Sequence, residues 1–356
     1  MIFPPAELLL AGPRAASAGG VEIGRSVEGR PVRAFRFGTG ARRISLLGGC
    51  HADEPVGPRL LRHLCGHLER LPPGDPLLTE WEWWVLPHIN PDGEARNRAW
   101  YSEEEEAYDL AAYLAHAVRE PPGQDIEFGF PRGPGDERAR PENRAAYEWW
   151  RGSAGPFVLH ASLHGMAVAG GAWFLIEPAW VERCGHLKAR CAARATELGY
   201  PLHDVERGGE KGFFRLERGF CTRPDSRLMR RYFEERGEEE TARRFRPSSM
   251  ETIRGLGGDP LTLVSEMPLF LAPRVGETPG PPDPVAEVWR RRVEEWRELL
   301  RSAPDRGQGE SAVQVRAAAR EKGLRPMPAG DQMELQWTLI VAGLEQVLRE
   351  SAPRRG

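Results

Sequence analysis

Residues 45–55 read SLLGGCHADEP, an apolar run that stops at two glycines and then presents His51, Asp53 and Glu54. A run of this kind reads as a buried strand followed by a sharp turn. The turn is either an ordinary loop or half of a metal site, and the stretch alone is compatible with both. His51 and Glu54 suit zinc. An ion that activates water wants three protein ligands and one open position, and two imidazoles with one carboxylate leave it net positive. The x-x spacing lets both side chains face one point, with a third ligand supplied by a distant strand. The plainer alternative is a turn histidine hydrogen-bonded to a nearby carboxylate.

Working outward, RPVRAFRFG (30–38) and RRISLLGG (42–49) alternate as strands, and the intervening GTGA predicts that they pair through a glycine turn. After the opening stretch, Pro58 sets up a helix, with Leu60, Leu61, Leu64, Leu68 and Leu71 at helical spacing. WEWWVLPHI (81–89) reads as a second buried strand, and NPDG (90–93) as a turn. Residues 93–141 lose their periodicity and are expected to be long surface excursions around a helix at LAAYLAHAV (110–118). ENRAAYEWWRG (142–152) is a helix leading into the strand PFVLHASLHG (156–165), which puts His160, Ser162 and His164 on one face. GAWFLIE (171–177) and PLTLVSE (260–266) are further strands, and residues 178–258 between them are expected to be mostly helical and charged. Proline spacing marks 272–284 as a linker, and amphipathic helices follow at 288–302 and 334–350. Strands alternating with helices predict an α/β sheet covered on both faces.

Composition excludes some classes. The 49 basic and 52 acidic residues are interspersed and give a net charge of −3, which does not supply the one-sided basic surface that nucleic acid requires. No apolar run approaches the roughly 18–20 residues of a membrane span, so no membrane partner is expected. Five scattered cysteines fit neither a disulfide framework nor a zinc ribbon, and a reducing cytoplasm is the simpler expectation.

Four features in order resemble the zinc metallocarboxypeptidase family, the group of carboxypeptidase A and its bacterial relatives. IGRSVEGRPV (23–32) looks like the family's first hairpin, and the following GGCHADE resembles its Gly-x-His-x-x-Glu ligand motif. NPDG matches the family's Asn-Pro-Asp-Gly turn. ARPENRAA (139–146) resembles the helix start before the third-ligand strand, with His164 in SLHG delivered by that strand. LTLVSEMPLF (261–270) resembles the late strand that carries the catalytic glutamate, here Glu266.

The resemblance implies a three-layer α/β/α fold around a central mixed, mostly parallel twisted sheet. With the resemblance running from about residue 21 to 270, the expected organisation is a catalytic domain over 1–271, the proline-marked linker over 272–284, and a helical extension over 285–356 packed on that domain. The resemblance implies one zinc ion held by His51, Glu54 and His164, with Glu266 as general base. Arg96 or Arg98 would meet the oxyanion, and Arg96, Asn97 and Arg98 would bind substrate. The activity implied is metallopeptidase hydrolysis of a peptide, at its C-terminus, or of an acylated amino acid.

Two departures bear on substrate. The family's Asp-Leu-Asn-Arg-like stretch has its nearest counterpart in YDLAAY (108–113), which lacks the Asn-Arg pair, and neither Tyr200 nor Tyr232 is selected as a capping tyrosine. An amidase or deacylase on the same scaffold therefore stays open, as does a binding protein without turnover. The pocket floor is expected from 177–258, where no motif is matched. His63 and His67 are expected to be helix-shoulder residues and His88 structural. His160 is either a partner of His164 or a plain sheet histidine. Oligomeric state is not indicated.

Overall fold

Strand alternation sorts the side chains of one sheet into two buried layers. The computed structural model describes residues 3–15, 19–277, 283–303 and 309–351. Its strands are β1 (Val21–Arg25), β2 (Pro31–Phe37), β3 (Arg42–Gly48), β4 (Trp81–Leu86), β5 (Phe157–Ala169), β6 (Trp173–Ile176), β7 (Arg215–Glu217), β8 (Phe220–Thr222), β9 (Leu261–Leu271) and β10 (Arg325–Pro326). They form a ten-stranded mixed sheet in the order β1-β2-β4-β3-β5-β9-β6-β8-β7, with β10 on the end of β9. The central run β4-β3-β5-β9 is parallel, and the β1/β2, β2/β4, β6/β9 and β7/β8 pairs around it are antiparallel.

From β3, Ile44 and Leu46 join a core with Leu60 and Leu64 of the helix Val56–Glu69 and Leu339 of the helix Ala329–Ser351. Leu47 points the other way, into a core with Trp84, with Trp150 of the helix Pro141–Arg151 and with Ile253 of the helix Ser249–Gly255. Helices thus cover both faces, giving the expected three layers.

The sequence-based pairing of 30–38 with 42–49 does not occur. β4 lies between them, antiparallel to β2 and parallel to β3. The glycines of GTGA serve a crossing instead of a hairpin: a Cβ on Gly40 would sit 2.0 Å from the Glu80 carbonyl carbon, so the chain passes directly over the start of β4. NPDG likewise opens a helix. The Asn90 side chain accepts the Gly93 N–H at 2.9 Å and Pro91 takes the first helical position of Pro91–Asn97.

Residues 178–258 are mostly helical as expected, and they add one element that the sequence did not indicate, a small hairpin of β7 and β8 preceded by a glycine-bearing loop. Of the expected linker 272–284, residues 278–282 lie outside the described residues. Ala272 donates its N–H to Ala169 at 2.9 Å, and Asp283 caps the helix Pro284–Ser302. The helix Ala329–Ser351 packs closely beneath the sheet, with Gly343 against Leu159 and Leu263. From the same helix, the buried Gln336 donates to the His164 carbonyl at 3.2 Å and to Ser265 Oγ at 3.1 Å. No helix among the described residues is long and apolar enough to cross a membrane.

Candidate metal centre

β3 ends at Gly48, and Gly49 turns the chain in the left-handed region at φ +74°. A Cβ there would fall 2.4 Å from His88 Nδ1, so His88 closes the turn from behind. Burial drives the His88 pKa down to about 4, which keeps the ring neutral, consistent with a structural role. Beyond the turn, the His51 and Glu54 side chains meet, Nδ1 to Oε1 at 2.8 Å.

His164 reaches the same point from β5. Its Nδ1 is 3.1 Å from His51 Nδ1 and 3.0 Å from Glu54 Oε2. Donor atoms about 2.0–2.1 Å from a tetrahedral zinc lie about 3.3 Å from one another. Three donors already 2.8–3.1 Å apart therefore fit one zinc ion with little movement. Two imidazole nitrogens facing each other beside a carboxylate are themselves a poor hydrogen-bonding arrangement, and a shared cation resolves it.

A second donor group, Cys50, Glu127 and His164, lies on the other side of the His164 ring. It fits zinc less well. Cys50 is buried and does not line the cavity, so this group offers a substrate no open coordination position there. Glu127 instead accepts from His164 Nε2 at 3.0 Å, which leaves Nδ1 available to a metal. Replacing Glu127 by glutamine is expected to weaken zinc binding by about 10–100-fold with the ligands intact, as measured by competition with a chromophoric chelator.

Register brings Glu266 to the centre, because His164 of β5 pairs directly with Glu266 of parallel β9. Burial, and then the Glu54 charge, push the Glu266 carboxyl up to about 7. Among the described residues that carboxyl makes no hydrogen bond. It faces a cavity of about 380 Å³ that also exposes His51, His164 and Arg119.

The structure does not bring Arg96, Asn97 or Arg98 to this cavity. Arg96 pairs with Glu28 and Arg98 is exposed. Asn97 is buried, donating to the Gly93 and Val118 carbonyls at 2.9 Å each. The guanidinium that arrives is that of Arg119, 2.9 Å from Glu54 Oε1 and 3.2 Å from Asp53 Oδ1. Although burial works against its charge, Glu54 and Asp53 hold Arg119 above the usual arginine range.

The stretch Asp125-Ile126-Glu127-Phe128 also stands at the centre, with Asp125 Oδ2 3.9 Å from His51 Nε2 and Phe128 on the cavity wall. The sequence pattern does not single it out: its Asp-apolar start is the available signal, and Glu127 and Phe128 stand where an Asn-Arg pair would mark it. In YDLAAY, Asp109 caps the helix Leu110–His116 and pairs with Arg316 at 2.8 Å. Tyr200 bonds Asp331, and Tyr232 lies beneath Lys211. His160 does not touch His164. It bonds Ser45 Oγ at 2.9 Å and Ser249 Oγ at 3.0 Å, and burial lowers its pKa to about 3.

The family model described as "Zinc carboxypeptidase" matches residues 17–170, a stretch that holds His51, Glu54 and His164 and stops before Glu266. Over that stretch the expected resemblance to the zinc metallocarboxypeptidases is borne out. Among individual proteins, this chain is similar to carboxypeptidase D of Drosophila melanogaster, 29% identical over 165 residues, covering 41% of this chain and 11% of that protein. Carboxypeptidase D of Homo sapiens is 30% identical over 182 residues, covering 41% and 13%. The matched region is thus a small fraction of those relatives.

A solved metallo-carboxypeptidase from Burkholderia cenocepacia aligns over 97% of this chain and 68% of its own, at 15% identity and a TM-score of 0.47. Carboxypeptidase A from Helicoverpa armigera aligns over 93% and 68%, at 13% identity and a TM-score of 0.46. Both are too distant to bear on activity.

Proposed function

We propose that the chain is a zinc-dependent hydrolase of peptide or amide bonds. His51 and His164 would hold one zinc ion through Nδ1, and Glu54 through its carboxylate. When bound, the ion supplies Lewis-acid polarisation and a water acidic enough to ionise near neutral pH. The observation that carries the proposal is the register of β5 and β9, which sets the Glu266 carboxyl beside the three converging donors.

Glu266 then acts as general base. Its carboxyl has no other hydrogen-bond partner among the described residues, so it is free to take the proton of an attacking water and return it to the leaving amine. Beside a cation it ionises more readily than the value of about 7 set by burial and Glu54. Arg119 lines the cavity, and we assign to it the oxyanion role expected of Arg96 or Arg98.

One observation favours a second reading, an amidase or deacylase acting on a small acylated amino acid. The segment 125–128 presents a carboxylate and a phenyl ring to the cavity where a peptide's terminal carboxylate would want a guanidinium. The test is metal analysis of the purified protein together with hydrolysis of a panel of dipeptides and N-acyl amino acids, before and after chelation. Stoichiometric zinc and chelator-sensitive turnover are expected. Protein that takes up no zinc, or binds it and hydrolyses nothing in the panel, would overturn the proposal.

A further inference from the structure

The cavity in front of the candidate metal centre carries a second polar feature besides the metal donors. Its outer wall is apolar and aromatic, with Trp173, Phe213, Met229 and Met250, and set into that wall are two cations, Arg207 and Lys211. Both belong to the loop preceding β7. The backbone there is held in unusual conformations: Gly208, Gly209 and Gly212 have φ of 58°, 81° and 94°, and Lys211 itself lies at φ 58°. A lysine enters the left-handed region at a cost, so the surrounding loop over-determines where its side chain goes.

The two cations differ in how far they are paired: Arg207 has no carboxylate partner among the described residues, and Lys211 has only a long contact with its neighbour Glu210. The Arg207 guanidinium rests 4.7 Å from the Phe213 ring and 5.6 Å from the Trp173 ring. Lys211 Nζ lies 4.3 Å from the Tyr232 ring, and its one carboxylate neighbour, Glu210, is 3.7 Å away. Burial first, and Arg207 among the neighbouring charges, hold the Lys211 ammonium below the usual lysine range. Both cations line the same cavity, and an anion bound there would be attracted to both. Of the carboxylates on the metal side, Glu127 is engaged with His164, and Glu54 with His51 and Arg119, while Glu266 lines the same cavity without an ion pair to Arg207 or Lys211 among the described residues.

We propose that Arg207 and Lys211 form an anion subsite that receives a carboxylate of the substrate while an adjacent apolar side chain lies against Trp173 and Phe213. The substrate class is then an acylated or peptidyl amino acid with a large apolar side chain and a free carboxylate, either at its C-terminus or on its acyl group. Planar guanidinium and ammonium donors recognise a carboxylate by charge-assisted hydrogen bonds, and the aromatic faces accept the apolar group without charge. This deepens the hydrolase proposal and rests on it only for the identity of the bond cleaved.

The experiment is calorimetric binding of three probes to the full chain: N-acetyl-L-phenylalanine, N-succinyl-L-phenylalanine amide and the uncharged N-acetyl-L-phenylalanine amide. At least one carboxylate probe is expected to bind about tenfold tighter than the uncharged amide, and which one does so identifies the source of the carboxylate. Arg207→Gln and Lys211→Asn should each remove most of that preference, with zinc content and melting temperature unchanged; asparagine tolerates the left-handed backbone at 211. Equal affinity for charged and uncharged probes overturns the proposal. So does a preference that survives both variants, because the carboxylate would then be bound elsewhere, as on the metal. Binding is read without turnover, so failure of hydrolysis alone would remove the hydrolase proposal and leave the subsite standing.

Discussion

Glu266→Gln is expected to lower kcat by about 10²–10⁴-fold while leaving zinc stoichiometry and substrate KM near those of the unaltered protein. The substitution keeps shape and removes only the capacity to take a proton. Glutamine offers an amide where the carboxyl faces His164 across the β5–β9 ladder, so the donor cluster keeps its backbone support. Because Glu266 makes no hydrogen bond among the described residues, no partner is orphaned by the change and a folding defect should not confuse the outcome. Steady-state kinetics with metal analysis on the same preparation decide it. A loss of kcat smaller than about tenfold would remove Glu266 from the proton-transfer role and leave it as a buried acid at a strand pairing.

The second large effect separates Glu54 from its neighbour. Glu54→Ala removes one of three donors and should weaken zinc binding by more than the roughly 10–100-fold that follows loss of an outer partner. It also strips a carboxylate from between His51, His164 and Arg119. Asp53→Ala should leave zinc bound. Asp53 turns away from the donors and accepts from the Tyr113 hydroxyl at 3.0 Å and from Arg119 at 3.2 Å, so its loss acts on Arg119. The expected signature is retained metal with reduced turnover. Equal emptying of the site by both substitutions would mean that the H-x-x-E motif has been assigned to the wrong pair of side chains.

The residues the sequence made legible are those in short motifs that resemble the family's. His51 and Glu54 follow a glycine turn, and His164 and Glu266 stand in apolar runs that the structure extends to Ala169 and Leu271, so both lie inside strands and not at their ends. Their convergence depends on a parallel register that periodicity does not encode. The strand order was illegible for a similar reason: GTGA carries the composition of a hairpin, and only packing over Glu80 makes it a crossing.

Arg119 and Glu127 lie in the segment without periodicity, where no local rule applies. That segment is fixed by distant partners. Asn143 donates to the Ile126 carbonyl at 2.8 Å, Phe130 stacks on Trp150, and the Phe130 N–H reaches the Pro247 carbonyl at 3.1 Å. Arg96, Asn97 and Arg98 attracted attention by proximity to NPDG in sequence. The helix that NPDG begins buries Asn97 and leaves both arginines exposed.

Gln336 has a consequence for how the protein comes apart. It ties the His164 carbonyl to Ser265, one residue before Glu266, from a helix late in the chain. The donors themselves come from separate strands that meet only through long-range pairing, and such contacts form late and are lost together. Metal capture is then coupled to closure of the whole sheet and its C-terminal cover, not to a local loop. On heating, zinc release and global unfolding should be a single event, and added zinc should raise the melting temperature as a ligand of the native state alone.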